Sequence, residues 1–231
     1  MTRIGGSSSS PQTETNRISD DDCRHTGVVS TPGRDDALTE ALGTSQRLGF
    51  LGARPIDEVI AHARMYVRAL DEVPGGALVV DIGSGGGVPG LVIAHDRPDL
   101  RLWLVDRRRK RTDFLERLVR RYTWLSDVEV VSVDVAELID HRGGRTGSPA
   151  ADRFEQRDDE VDVVVARGFG PPDETLMMSA NLVRVGGLIV ISEPPDGDRW
   201  SPEVLDASGT VRHETPGQRP GDRIAVFRRS T

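Results

Sequence analysis

The chain has 231 residues, 36% of them hydrophobic, and a formal net charge of −7. That length holds one domain plus appendages, and the lack of global positive charge argues against non-specific nucleic-acid binding. The single cysteine, Cys23, cannot close an internal disulfide, which fits a reducing cytosol; Met1 to Thr15 carries no apolar stretch of a signal peptide, and no run approaches a membrane span, so a cytoplasmic protein without a membrane partner is expected.

Residues 1–34 are polar, with a serine run (Ser7 to Ser10) and an acidic run (Asp20 to Asp22), and read as a disordered tail. Residues 35–73 read as a helical extension. Asp35 or Asp36 could cap a helix starting at Ala37, and Val59, Ile60, Ala63, Val67 and Leu70 give a second helix its apolar face. Pro74-Gly75-Gly76 then opens the main domain, 74–231. Strands are expected at 77–82, 101–106, 127–133, 161–166 and 187–192, alternating with helices at 88–96, 110–122, 135–140 and 173–184. Such alternation favours a doubly wound parallel sheet. Two further strands, 208–214 and 223–228, joined by turn residues, would close a seven-stranded sheet with one strand antiparallel. Residues 141–160 read as a mobile insertion.

The first strand runs into Asp81-Ile82-Gly83-Ser84-Gly85-Gly86-Gly87-Val88-Pro89-Gly90. Glycines at a strand–turn–helix junction let a nucleotide-like ligand approach the backbone closely. Gly85-x-Gly87-x-x-Gly90 also satisfies the dinucleotide fingerprint, so a nicotinamide or flavin site is the competing reading. The acid at Asp81 favours S-adenosylmethionine, because dinucleotide sites usually have an apolar residue there. Such a carboxylate can order the loop or reach the ligand's amino acid end. Asp106 ends the second strand, 25 residues on, where a carboxylate accepts ribose hydroxyls. Asp81 and Asp106 are thus expected to flank one adenosyl cradle at the Gly83–Gly90 bend. No metal is expected.

Elimination narrows the methyl acceptor. Carbon-5 methylation of pyrimidines needs a cysteine nucleophile, and Cys23 lies in the tail. The loop after the fourth strand, Arg167-Gly168-Phe169-Gly170-Pro171-Pro172, lacks the Asn/Asp-Pro-Pro-aromatic pattern used on exocyclic amines. Lys110 is the only lysine, which cannot complete a Lys-Asp-Lys-Glu set for ribose oxygen. A ring nitrogen such as guanine N7 stays open: its lone pair is free at neutral pH and needs no general base. Residues 107–121 hold eight basic and two acidic residues. Cations at a helix N-terminus oppose its dipole, a cost that RNA phosphate would offset.

At these residues the chain resembles the bacterial 16S ribosomal RNA guanine-N7 methyltransferases, the glucose-inhibited division protein B family. Four segments carry the likeness: Asp81 to Gly90 with its Val-Pro-Gly; Leu104-Val105-Asp106 with Lys110-Arg111 and Phe114-Leu115; Val163 to Phe169; and Gly186-Gly187. Gly49-Phe50-Leu51-Gly52 and His62 match the family more faintly. The resemblance implies a class I S-adenosylmethionine-dependent methyltransferase fold, Rossmann-like, with an N-terminal helical extension. It implies direct methyl transfer to a guanine of 16S ribosomal RNA, free or in the small ribosomal subunit, by a monomer. Carried over by position, cofactor contacts fall on Gly83, Val88, Val135, Ala136 and Arg167 beside Asp81, Gly85, Gly87 and Asp106. Lys110 and Arg167 match basic positions that contact RNA or the reacting centre and are the catalytic candidates. The chain departs from the family at Asp134, where many members carry arginine, at Gly168, where they carry alanine, and at His62-Ala63-Arg64-Met65-Tyr66. The alternatives are a methyltransferase of the same fold acting on a small molecule and a non-catalytic relative that binds S-adenosylmethionine or RNA.

Overall fold

The computed structural model describes residues 33–142, 160–194 and 199–231. Residues 1–32 of the expected tail and most of the 141–160 insertion lie outside these residues; Arg34, expected to end the tail, instead opens a helix.

Helices α1 (Arg34–Arg47) and α2 (Ile56–Ala69) precede the sheet. The order is then β1 (Leu78–Ile82), α3 (Gly90–Asp96), β2 (Arg101–Val105), α4 (Arg109–Arg121), β3 (Val128–Val131), α5 (Val135–Arg142) and β4 (Val163–Ala166). It continues with α6 (Pro172–Leu182), β5 (Leu188–Ser192), α7 (Pro202–Ser208), β6 (Thr210–Arg212) and β7 (Ile224–Arg229). The seven strands lie in the order β3-β2-β1-β4-β5-β7-β6. β1 to β5 pair in parallel, and β7 runs antiparallel to both β5 and β6.

Two apolar layers hold the helices to the sheet. Val79, Leu102, Leu104, Val165 and Val190 face α1 to α4, whereas Val80, Trp103, Val105, Val164 and Ile189 face α5, α6 and α7. Alternate residues of each strand therefore serve opposite faces, and β1, β2 and β4 read as near-continuous apolar runs because both faces are covered. Among the described residues no helix is long and apolar enough to cross a membrane.

Two expectations need correction. Neither Asp35 nor Asp36 caps α1: the N-cap is Gly33 without a side-chain bond, and both acids sit in the first turn, where they complement the helix dipole. The chain between β5 and β6 also contains α7, which periodicity missed because the helix has only seven residues. Its boundary signals were present. Ser201 Oγ accepts from Val204 N–H at 3.4 Å, Pro202 fits the first turn, and Gly209 ends the helix at φ 61°.

Candidate active site

Strand register builds the site. Ile82 lies opposite Val105 on β2 and Ala166 on β4, and Ala166 lies opposite Ile191 on β5. The next residues, Gly83, Asp106, Arg167 and Ser192, therefore emerge side by side at the carboxyl edge. That is where doubly wound sheets bind ligands.

A cleft of about 280 Å³ opens along this edge, lined by Gly83, Asp106, Arg107, Arg108, Arg111, Val133, Asp134, Val135, and the Gly168 to Pro171 loop with the start of α6. Of the expected contacts, Gly83, Asp106 and Val135 line it directly. Asp106 is held from behind by backbone: Gly85 N–H donates to Oδ2 at 3.0 Å and Arg108 N–H to Oδ1 at 2.8 Å. Arg111 Nη1 approaches the same Oδ2 at 3.5 Å. Asp134 accepts from Ala136 N–H at 3.1 Å and from Arg107 Nη1 at 3.2 Å. The departure at Asp134 thus adds a carboxylate beside Asp106 and Glu174 in the cleft lining, tethered to a neighbouring arginine.

Asp81 takes the loop-ordering role. It is 1% exposed, and its Oδ2 accepts from Gly90 N–H at 3.0 Å beneath the bend. A Cβ on Gly90 would come within 2.7 Å of that oxygen, so glycine alone allows α3 to start this close to β1. Oδ1 of Asp81 is buried without a hydrogen-bond partner. Burial pushes the carboxyl up to about 7, against the pull of Gly90 N–H, Ser84 and Arg167. Gly87 and Val88 pack inward; a Cβ on Gly87 would meet Leu91 and Leu115. Gly83 has φ 69°, and its Cα lies against Phe169, whose Cδ2 would stand 2.5 Å from an added Cβ.

Lys110 and Arg167 lie outside this cleft lining. Lys110 is exposed in the first turn of α4, while its neighbours Arg107, Arg108 and Arg111 reach the cleft. The run of basic residues was visible in sequence; which members turn inward depends on the helical phase of α4. Arg167 is half-buried and makes no hydrogen bond or ion pair among the described residues. Its charge acts on Asp81, Tyr66 and His62. His62, on α2, has a buried Nδ1 without a partner. Burial, and then the positive charges of Arg167, Arg54 and Arg223, lower its pKa, so it is neutral at pH 7. Tyr66 is fully buried and donates from its hydroxyl to Ala166 O at 2.9 Å, tying α2 to the end of β4.

The residues present fit S-adenosylmethionine. A glycine wall at Gly83 admits close approach, and Asp106 offers a carboxylate to ribose hydroxyls; Asp81, expected to flank the same cradle, is instead buried beneath the bend and does not line the cleft.

Residues 42–193 match the family model for rRNA small subunit methyltransferase G, GidB. The chain is 31% identical over 206 residues to the ribosomal RNA small subunit methyltransferase G of Thermobifida fusca, covering 84% of this chain and 76% of that protein. The Mycolicibacterium paratuberculosis protein of the same name is 32% identical over 204 residues, covering 83% and 75%. Among solved structures, a methyltransferase from Geobacter sulfurreducens matches with TM-score 0.57 at 13% identity, covering 87% of this chain and 92% of that one, a likeness of fold. With the seven-stranded sheet, the glycine bend and these relatives together, the chain belongs to the GidB family of S-adenosylmethionine-dependent methyltransferases.

Proposed function

We propose that the protein methylates N7 of a guanine in small-subunit ribosomal RNA. The observation that carries this reading is the register-aligned row of Gly83, Asp106 and Arg167 at the carboxyl edge of a GidB-family chain. When bound, S-adenosylmethionine supplies an electrophilic methyl group, which the N7 lone pair takes as the carbon–sulfur bond breaks with its electrons left on sulfur.

The chain's own residues bind and orient. Asp106 would hold the ribose hydroxyls and Val135 and Ala136 would flank the adenine, while Asp81 orders the bend from beneath through Gly90 N–H. Gly85, Gly87 and Val88 keep the bend in shape by packing and by the Gly85 bond to Asp106. Arg167 places positive charge beside the β4 end, where it can meet a phosphate or the base. Lys110 and the exposed arginines of α4 offer the RNA backbone a cationic rim. No proton has to leave N7, so the site needs alignment and electrostatics rather than a base. The relatives' name supports ribosomal RNA as the substrate.

The test is mapping of 7-methylguanosine in 16S ribosomal RNA from cells with and without the gene. One modified guanine should disappear with the gene and return on complementation. An unchanged modification map would overturn the proposal.

A further inference from the structure

A second cleft, of about 220 Å³, lies beside the first at the carboxyl edge and is lined by Gly168, Phe169, Gly170, Thr175, the end of β5 from Ile191 to Pro194, and Arg199. The two clefts share the Gly168 to Gly170 loop and Thr175, and Phe169 stands in the lining of both. The first holds the carboxylates suited to a ribosyl ligand. The second holds an aromatic ring, a carboxylate and a guanidinium.

That carboxylate is fixed with care. Glu193 Oε1 accepts from Trp200 Nε1, and Trp200 is itself locked edge-on against Phe227, with ring centroids 4.9 Å apart. Glu193 Oε2 is buried and makes no hydrogen bond. Arg199 Nε stands 3.7 Å away, with that arginine bonded to Ser192 O at 2.7 Å and lying over the Trp200 ring. Glu193 Oε2 thus faces a cation without being hydrogen-bonded to it, and its lone pairs are left for an N–H donor once the arginine moves.

Resting on the proposed N7 reading, we infer that this second cleft is the acceptor-base subsite: the guanine stacks on Phe169 and donates N1–H and its 2-amino group to Glu193. Arg199 has to swing aside from the carboxylate, which frees it for O6 or a flanking phosphate. On a purine, N1 and the 2-amino group lie across the ring from N7. Holding them at the β5 end turns N7 toward the first cleft, past Phe169. An aromatic face supports any base; the carboxylate distinguishes guanine, since adenine offers a lone pair at N1. Glu193 is then a specificity-determining residue.

The test compares methyl transfer to two ligated RNAs that differ only at the mapped acceptor, guanine or hypoxanthine, the latter lacking the 2-amino group. The wild-type protein should favour guanine roughly 10-fold to 100-fold in kcat/KM, as expected for one bond to a charged acceptor. In Glu193→Gln the preference should fall to near unity, while calorimetric affinity for S-adenosylmethionine and the melting temperature stay unchanged. Transfer to RNA with no guanine preference, or with a preference that survives Glu193→Gln, would overturn this subsite and leave the N7 reading intact. Absence of transfer to either RNA would sink both. Should Glu193→Gln fold poorly, Phe169→Leu replaces it: loss of stacking should raise KM for both RNAs in equal measure and leave the guanine preference in place, and a KM that does not move would count against the subsite.

Discussion

Both edges of the sheet carry ion pairs, but the carboxyl edge leaves buried polar atoms without hydrogen bonds. At the amino edge every prominent ion is neutralised on the spot. Asp162 accepts from Arg184 Nε and from Leu78 N–H, both at 2.8 Å. Glu72 takes Arg228 and His213, each at 2.7 Å, and Arg97 bonds Leu70 O, Val73 O and Asp99. At the carboxyl edge, Asp81 Oδ1, His62 Nδ1 and Glu193 Oε2 are buried without hydrogen bonds, and Arg167 lacks an ion pair among the described residues. Unsatisfied buried groups cost about 1–3 kcal/mol each, so an edge that keeps several is organised for something other than stability. The amino edge even has a cleft of its own, about 240 Å³ between Glu72, Asp162, Arg184 and Arg228, but its charges already bind one another.

The sharpest way to break this contrast is Gly83→Ala. The new Cβ collides with Phe169 and has to adopt a left-handed backbone, worth about 1–2 kcal/mol of strain. Methyl transfer should fall at least 100-fold with the fold retained, read by calorimetry with S-adenosylmethionine and by thermal melting. Normal cofactor affinity would show that the bend is not the cradle.

Next comes Asp81→Asn, which keeps an acceptor for Gly90 N–H. The unfolded carboxyl ionises near 3.8 and the folded one near 7, so between those values the unfolded state has released a proton that the folded state retains. The wild-type protein should therefore lose stability relative to Asp81→Asn as pH rises from about 4 to 7, by a few kcal/mol at about 1.4 kcal/mol per unit, and run parallel above 7. His62 works in the opposite direction. Its folded pKa is depressed, so its contribution is present above 6.5 and is lost as pH falls through that value toward the folded one; it is common to both proteins and cancels in the comparison. Urea unfolding at pH 5 and pH 8 measures the divergence, and parallel behaviour at both would remove the orphaned carboxyl from the account.

On the opposite edge, Asp162→Ala should cost about 1–3 kcal/mol by stranding Leu78 N–H and Arg184, and should leave cofactor affinity unchanged. A change in affinity would mean the two edges are coupled. The smallest effect belongs to the surface pair of Glu40 and Arg121, at 3.1 Å between exposed side chains: Glu40→Gln should move stability by less than about 1 kcal/mol.

Much of this contrast could be anticipated from residue order. The alternation of apolar strands and helices announced the doubly wound sheet, and the acid–glycine bend with Asp106 announced the ligand edge, because burial on both faces and a tight strand–helix turn each leave a local signature. Sequence did not reveal that Asp81 points under the bend while Asp106 points into the cleft. Asp81 lies within β1 opposite Leu104, under the start of α3, whereas Asp106 lies one residue past the end of β2, level with Gly83, and this two-residue offset in register separates their roles.

What the sequence determined alone was therefore periodicity and punctuation: strands, helices, the glycine turn and the family to which they belong. Tertiary structure decided which charges remain unpaired. Lys110 and Arg111 are adjacent in the chain, yet only Arg111 reaches Asp106, since one residue rotates the side chain by about 100° around α4. Likewise Phe169, Glu193 and Arg199 converge because β4 and β5 are neighbours, a fact set by long-range strand pairing that no local pattern encodes.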